Sequence, residues 1–220
     1  GQLNISPIFN RMAKASLKIR GQSDLRDALE FLNHKDLNLI SKYRIGTNGV
    51  GKIFFESNFT WPIKPAIKRD EFLWEVNANG NELVLSSLPL NLRATKSKIK
   101  IFASNQSFKL LSEGKLNNIK TKFKIDKLQN QNPSMKINLI KSRELAKYIS
   151  NISGQKIDGS ASGLIEINDL DFSNFTSKVL IDLDNTHIKL PQINFSKELG
   201  VKGLVKGDFI FESGLLSKIS

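Results

Sequence analysis

Apolar and polar side chains alternate with a period of two along most of this chain, and that period puts one set on each face of an extended strand. The clearest run is 119–126, where Ile119, Thr121, Phe123 and Ile125 alternate with Lys120, Lys122, Lys124 and Asp126. One face of such a strand is greasy and the other basic. The same pattern recurs in Ala13, Ala15, Leu17 and Ile19; in Ile53, Phe55, Phe59 and Trp61; and in Phe72, Trp74, Val76 and Ala78. Further rows are Leu90, Leu92 and Ala94; Ile99, Ile101 and Ala103; Met135, Ile137 and Leu139; Ile165 and Ile167; Val179, Ile181 and Leu183; and Val205, Phe209 and Phe211. Turn-forming clusters at Asn79-Gly80-Asn81 and Glu113-Gly114-Lys115 are read as connections between strands.

Two segments change to a helical period. Leu25, Ala28, Leu29 and Leu32 fall on one stripe, with Ser23 as the expected N-cap; Leu145, Tyr148, Ile149 and Ile152 form a second, with Ser142 as its cap. Each helix follows a strand and precedes a glycine-marked strand, which suggests repeat units 1–130 and 131–220. The expected fold is therefore mainly β: an elongated antiparallel meander with two short amphipathic helices. Its apolar face is either covered in a closed sandwich or barrel, or curled into an open apolar groove.

The inventory of reactive groups is thin. The 220 residues contain no cysteine, which removes disulfides, thiolate metal sites and cysteine nucleophiles. The two histidines, His34 and His187, stand in no ligand spacing and are read as surface turn residues. Gly46 to Gly51 lacks the Lys-Ser/Thr pair and following helix of a phosphate loop, and Gly154 to Gly163 suits a bulged strand start better than a nucleophile elbow. Asn168-Asp169-Leu170-Asp171 and Asp182-Leu183-Asp184-Asn185 miss the EF-hand pattern and read as turn formers. The Asn-x-Ser/Thr triplets at Asn4, Asn58, Asn105, Asn151, Asn174 and Asn194 follow from an asparagine-rich composition. No enzyme activity, metal or cofactor is expected.

The net charge of +12, from 33 Lys and Arg against 21 Asp and Glu, raises nucleic acid as a partner. A Lys-, Asn- and Ile-rich composition of the kind a low-GC genome imposes is the simpler source. The lysines also lie opposite the apolar rows, without the interleaved aromatic residues that a base-stacking platform uses. No nucleic acid partner is expected. No stretch reaches the roughly 18 apolar residues of a spanning helix. With Phe209 to Phe211 reading as strand close to the end, the chain is expected to be one segment of a longer repetitive β protein.

Two phrases resemble a known family. Residues 17–63, LKIRGQSDLRDALEFL through GVGKIFFESNFTWPI, are similar to the central region of the YhdP-type AsmA-like proteins, bacterial bridge-like lipid transport proteins related to TamB. Residues 182–200, with Asp182, Leu183, Leu190, Pro191, Phe195, Lys197 and Gly200, resemble a later phrase of the same family. The stretch from Ser104 to Asn132 is richer in Lys and Asn than the family's pattern. The resemblance implies an elongated sheet curled into a groove, periplasmic and attached to the inner membrane in the full-length protein. It also implies phospholipid movement between inner and outer membrane, the membranes being reached through segments outside this chain.

On that reading the candidate groove wall that contacts phospholipid acyl chains is Ile53, Phe55, Phe59, Trp61, Phe123, Ile125, Ile137, Leu139, Ile181 and Leu183. Two acyl chains carry roughly 30 methylenes, whose exposure costs about 0.8 kcal/mol each, so an apolar wall without specific polar contacts is sufficient. The alternative is a closed β-domain acting as an envelope scaffold or interaction module without lipid cargo.

Overall fold

The structure, a computed structural model, describes residues 1–5, 13–34, 46–88, 92–128, 131–168, 174–212 and 215–219. One large antiparallel sheet dominates it. Its strands lie side by side in the order β1 (Gln2–Ile5), β2 (Lys14–Asp24), β4 (Lys52–Pro62), β5 (Leu73–Leu88), β6 (Leu92–Ser104), β7 (Ser107–Leu116), β8 (Ile119–Leu128), β9 (Ser134–Ser142), β11 (Ala161–Asn168), β12 (Phe175–Asp182), β15 (Leu204–Glu212) and β16 (Leu215–Ile219). The two-residue β3 (Gly49–Val50) pairs with β5, and a separate sheet joins β10 (Lys156–Gly159), β13 (Thr186–Leu190) and β14 (Phe195–Lys197). β1 and β16 stand at opposite ends of the order, so the large sheet is not closed into a barrel. At about 4.8 Å between strands, the path across it is about 50 Å long.

The register aligns the apolar rows of successive strands. Gly21 faces Phe55, Phe55 faces Ala78, Ala78 faces Ile101, and Ile101 faces Leu110. The row continues through Ile125, Met135, Ile167, Ser177 and Phe209. Directly opposed residues in an antiparallel pair share a face, so the short alternations of the sequence merge into one apolar surface across ten strands. The outer face carries the charges, with Lys18 and Arg20 on Glu56 at 2.6 and 2.5 Å and Lys136 on Glu166 at 2.8 Å.

Both helices lie on the apolar face. α1 (Leu25–Leu32) buries Leu25 and Leu29 and packs Ala28 and Leu32, the stripe its spacing predicts. α2 (Arg143–Ser153) buries Leu145 and Ala146, with Ile149 packed beside them. Tyr148 and Ile152 do not belong to its buried stripe, being 48% and 68% exposed; Ala146 takes the place assigned to them. Ser142 caps α2 as expected, its Oγ accepting from the Leu145 amide at 3.1 Å. Ser23 does not cap α1: it is the penultimate residue of β2, and Asp24 holds the N-cap position without a side-chain bond.

Two expected turns are strand. Asn79-Gly80-Asn81 lies inside β5, where Glu82 takes a φ of 53° and the register with β6 shifts between Gly80 and Leu83. The chain bends there and does not reverse, as a bulge permits. Glu113-Gly114-Lys115 lies inside β7, because Gly114 must pass under Ser97, whose Oγ sits 2.6 Å from where a Cβ would be. The reversal comes two residues later at Asn117-Asn118, with φ of 46° and 70°, the left-handed pair that a two-residue hairpin requires. Leu90 and Asp169 to Asp171 fall outside the described residues.

Among the described residues the order strand, helix, short strand, long strand occurs twice, as β2-α1-β3-β4 with Gly51 between the last two, and as β9-α2-β10-β11 with Gly159 closing β10. Gly51 has φ +114° and Gly159 has φ +113°, a region closed to L side chains. Gly159 swings the chain from the three-stranded sheet back into the large one, whereas Gly51 stands between β3 and β4, both of which pair with β5.

Candidate apolar groove

Beside α1 the apolar face opens into a cavity of about 540 Å³. Its floor is Ile53, Phe55 and Phe59 of β4 with Trp74, Val76 and Ala78 of β5; Ile19 of β2 and Ile101 of β6 extend it sideways. Its roof is α1, through Leu25, Ala28, Leu29, Phe31 and Leu32. Polar groups are few: Ser23, Asp27, Ser57 and Asn105. Asn105 has its side chain committed, with Oδ1 accepting from the Trp74 amide at 2.7 Å and Nδ2 donating to the Phe72 carbonyl at 2.8 Å.

The local sequence explains why this space exists. Gly21 faces Phe55 across β2 and β4, and a Cβ at Gly21 would lie 2.9 Å from the Phe55 ring, so the ring folds over the glycine. Gly49 similarly lets β3 pass under the helix, its missing Cβ leaving room for Leu25 and Leu29. Rings gather at the mouth: Phe72 sits 6.0 Å from Phe59 and 5.9 Å from Trp61, while Phe31 on the helix is 63% exposed. Large apolar side chains left accessible around a cavity mark a binding surface more often than a packing defect.

Beside α2 the described apolar side chains form a packed cluster. Leu145 and Ala146 pack with Ile157, Ala161 and Leu183, and Leu139, Ile149, Ile181 and Ile188 close around them. The three-stranded sheet is fastened there by Lys197, which is buried and whose Nζ donates to the carbonyls of Leu183 at 2.8 Å and Thr186 at 3.0 Å. A Cβ at Gly203 would meet the Lys197 side chain at 2.5 Å. Asp182 and Asp184 bond backbone amides of Asp184 and Gly203, the turn-forming role read from the sequence. His187 is not a turn residue: it lies within β13, half-buried, with Nε2 3.4 Å from Glu198. Among the described residues no group of three or more His, Asp and Glu is placed to hold a metal ion. No described helix is long and apolar enough to cross a membrane.

No family model, no curated protein and no solved structure matches the chain.

The ten candidate wall residues divide by location. Ile53, Phe55 and Phe59 line the cavity, and Trp61 stands at its mouth against Phe72. Phe123, Ile125, Ile137, Leu139 and Ile181 lie on the same face of the sheet further along, with Ile125 and Ile137 buried. Leu183 follows β12 and is buried in the packing around α2. The residues are thus on one surface but not in one pocket. Trp74, Val76 and Ile101 also line the cavity, on the face that the alternation assigns to them. The contribution of α1 had no sequence signal beyond its own stripe, because only the fold shows which side of the helix faces free volume.

Proposed function

We propose that this chain is a non-catalytic segment of an inner-membrane-anchored periplasmic protein, whose apolar face shields phospholipid acyl chains passing between the two membranes. The observation that carries this reading is the cavity under α1, apolar on floor and roof and continuous with an apolar row that runs across the large sheet. Its volume of about 540 Å³ falls in the range of pockets that enclose a small ligand. β4, with eleven residues, is about 36 Å long, enough to lie along an extended acyl chain. Burying some fifteen methylenes there is worth about 12 kcal/mol, and the lack of converging charged groups leaves the chain free to slide.

The test is native mass spectrometry of the purified chain with identification of co-purified lipid, beside displacement of a fluorescent fatty-acid probe. Ala28→Trp fills the cavity from the roof and is expected to abolish probe binding with an unchanged β-sheet circular dichroism signal. Equal probe binding by wild type and variant overturns the reading. A lipid-free protein that ignores the probe is instead the closed scaffold.

A further inference from the structure

The positive charge of this protein is not spread over its length. Residues 92–142 hold twelve Lys and Arg against two Asp and Glu, a net of +10; the other 169 residues hold 21 against 19. A genome-wide bias toward lysine would enrich both parts and would not strip carboxylates from one of them.

This segment is β6 to β9, and the register sends most of its lysines to one side, Lys127 opposite Phe108 being an exception. Lys100 faces Asn79 and Leu111, Lys109 faces Phe102 and Asp126, and Lys115 faces Thr95 and Lys120, all on the side away from the apolar row. Lys98, Lys100, Lys109, Lys115 and Lys120 have no ion-pair partner among the described residues, whereas Lys122, Lys124 and Lys136 reach Glu113, Asp126 and Glu166. Four strands of about ten residues make a basic field roughly 14 Å by 33 Å. Leu111, 38% exposed, lies within it.

We infer that the outer face of β6 to β9 docks on an anionic lipid bilayer surface. The choice of occupant rests on the chemistry of the field. Its charges are almost all lysine, a compact point charge without the fork that pairs bidentately with a defined phosphate or carboxylate. Phe102 is the one aromatic residue of the segment on that face, since Phe108 and Phe123 point to the groove, so no series of rings is offered to bases. Four to eight clustered lysines attract a surface of anionic headgroups through diffuse, salt-sensitive charge, at about 1 kcal/mol each. This inference is independent of acyl-chain binding, which concerns the opposite face.

The experiment is co-sedimentation of the full chain with vesicles of phosphatidylcholine alone or mixed with phosphatidylglycerol, in low salt and in high salt. Binding is expected only with the anionic vesicles and falls as salt rises. The exposed triple variant Lys100→Gln, Lys109→Gln, Lys120→Gln is expected to bind roughly a hundredfold more weakly, about fivefold per lysine. Lys178→Gln with Lys206→Gln, outside the field, is expected to leave binding unchanged. Equal binding to neutral and anionic vesicles, or an unaffected triple variant with an intact circular dichroism signal, overturns the proposal. So does tighter binding to a DNA duplex than to vesicles at equal anionic charge, which would assign the face to nucleic acid. Because Ala28→Trp leaves this face untouched, its vesicle binding separates failure here from failure of the acyl-chain reading.

Discussion

The α1 unit and the α2 unit share, among the described residues, the same succession of elements and end differently: one beside an open cavity, the other beside a packed cluster. α1 has eight residues and no side-chain cap; α2 has eleven, a Ser142 cap and Gly154 at φ 66° closing its C-terminus. The short strand after α1 pairs with two residues of β5, while the one after α2 founds a sheet of its own, pinned by a buried lysine. A supersecondary unit therefore does not dictate whether its apolar side is a core or a container. What lies over the helix decides.

The sharpest way to break this contrast is at Lys197. Lys197→Met keeps length and removes the ammonium from the carbonyls it satisfies. A loss of about 3 kcal/mol in urea unfolding is expected, because the carbonyls of Leu183, Asp184, Thr186 and Glu198 that converge on the ammonium each lose a charged donor. A loss below about 1 kcal/mol would show that the three-stranded sheet stands without its pin. The two bend glycines come next. Gly159→Ala directs its Cβ at the backbone oxygen of Asn185, 2.3 Å away, and is expected to cost about 3 kcal/mol; Gly51→Ala meets the flexible end of Leu83 at 2.6 Å and is expected to cost about 2. Thermal unfolding of both variants tests the order, and a reversed ranking would mean that the open unit is the more rigid one.

The smallest effect is acidic. Hydrogen bonds from Lys18 and Arg20 hold the Glu56 carboxyl below its ordinary value near 4.5, and the bond from Lys64, with the Lys68 amide behind it, does the same for Glu71. Both carboxylates lie in the half of the chain that carries the cavity. A carboxyl whose value is depressed on folding adds stability that is present above the unfolded value and lost as pH falls through the folded one. Glu56→Gln is expected to flatten the acid limb of a stability-against-pH curve slightly; an unchanged limb would mean these exposed pairs are fully screened.

The strands were legible because burial on one face writes a period of two into each of them, and direct opposition in the register then joins the rows without further instruction. The failures were local readings overruled from a distance. Gly80 and Gly114 look like turn residues, and each is glycine because another strand or side chain passes too close for a Cβ: Ile53 and Leu83 over Gly80, Ser97 over Gly114. Ser23 looks like a cap, but pairing with Ile53 keeps it in the strand. The cavity was half legible. Its floor follows from the alternation of β4 and β5, while its emptiness depends on how α1 sits, which no spacing within the helix records. Lys197 stands out in the sequence only as part of the phrase from Asp182 to Gly200, since a lysine's burial among carbonyls from residues 183 to 198 is a product of the fold.

From β4 to β9 every strand pairs with the next one in the chain, through connections of two to ten residues. The entropy of closing each loop is therefore small, which favours assembly hairpin by hairpin along the polypeptide. The β13–β14 sheet is the exception in timing: Leu183 bonds Gly203 and Gly200 bonds Asp184, so it sets only after its whole excursion from β12 has been made. A polypeptide threaded outward from one end would thus acquire its trough progressively, each new rib templated by the one before it.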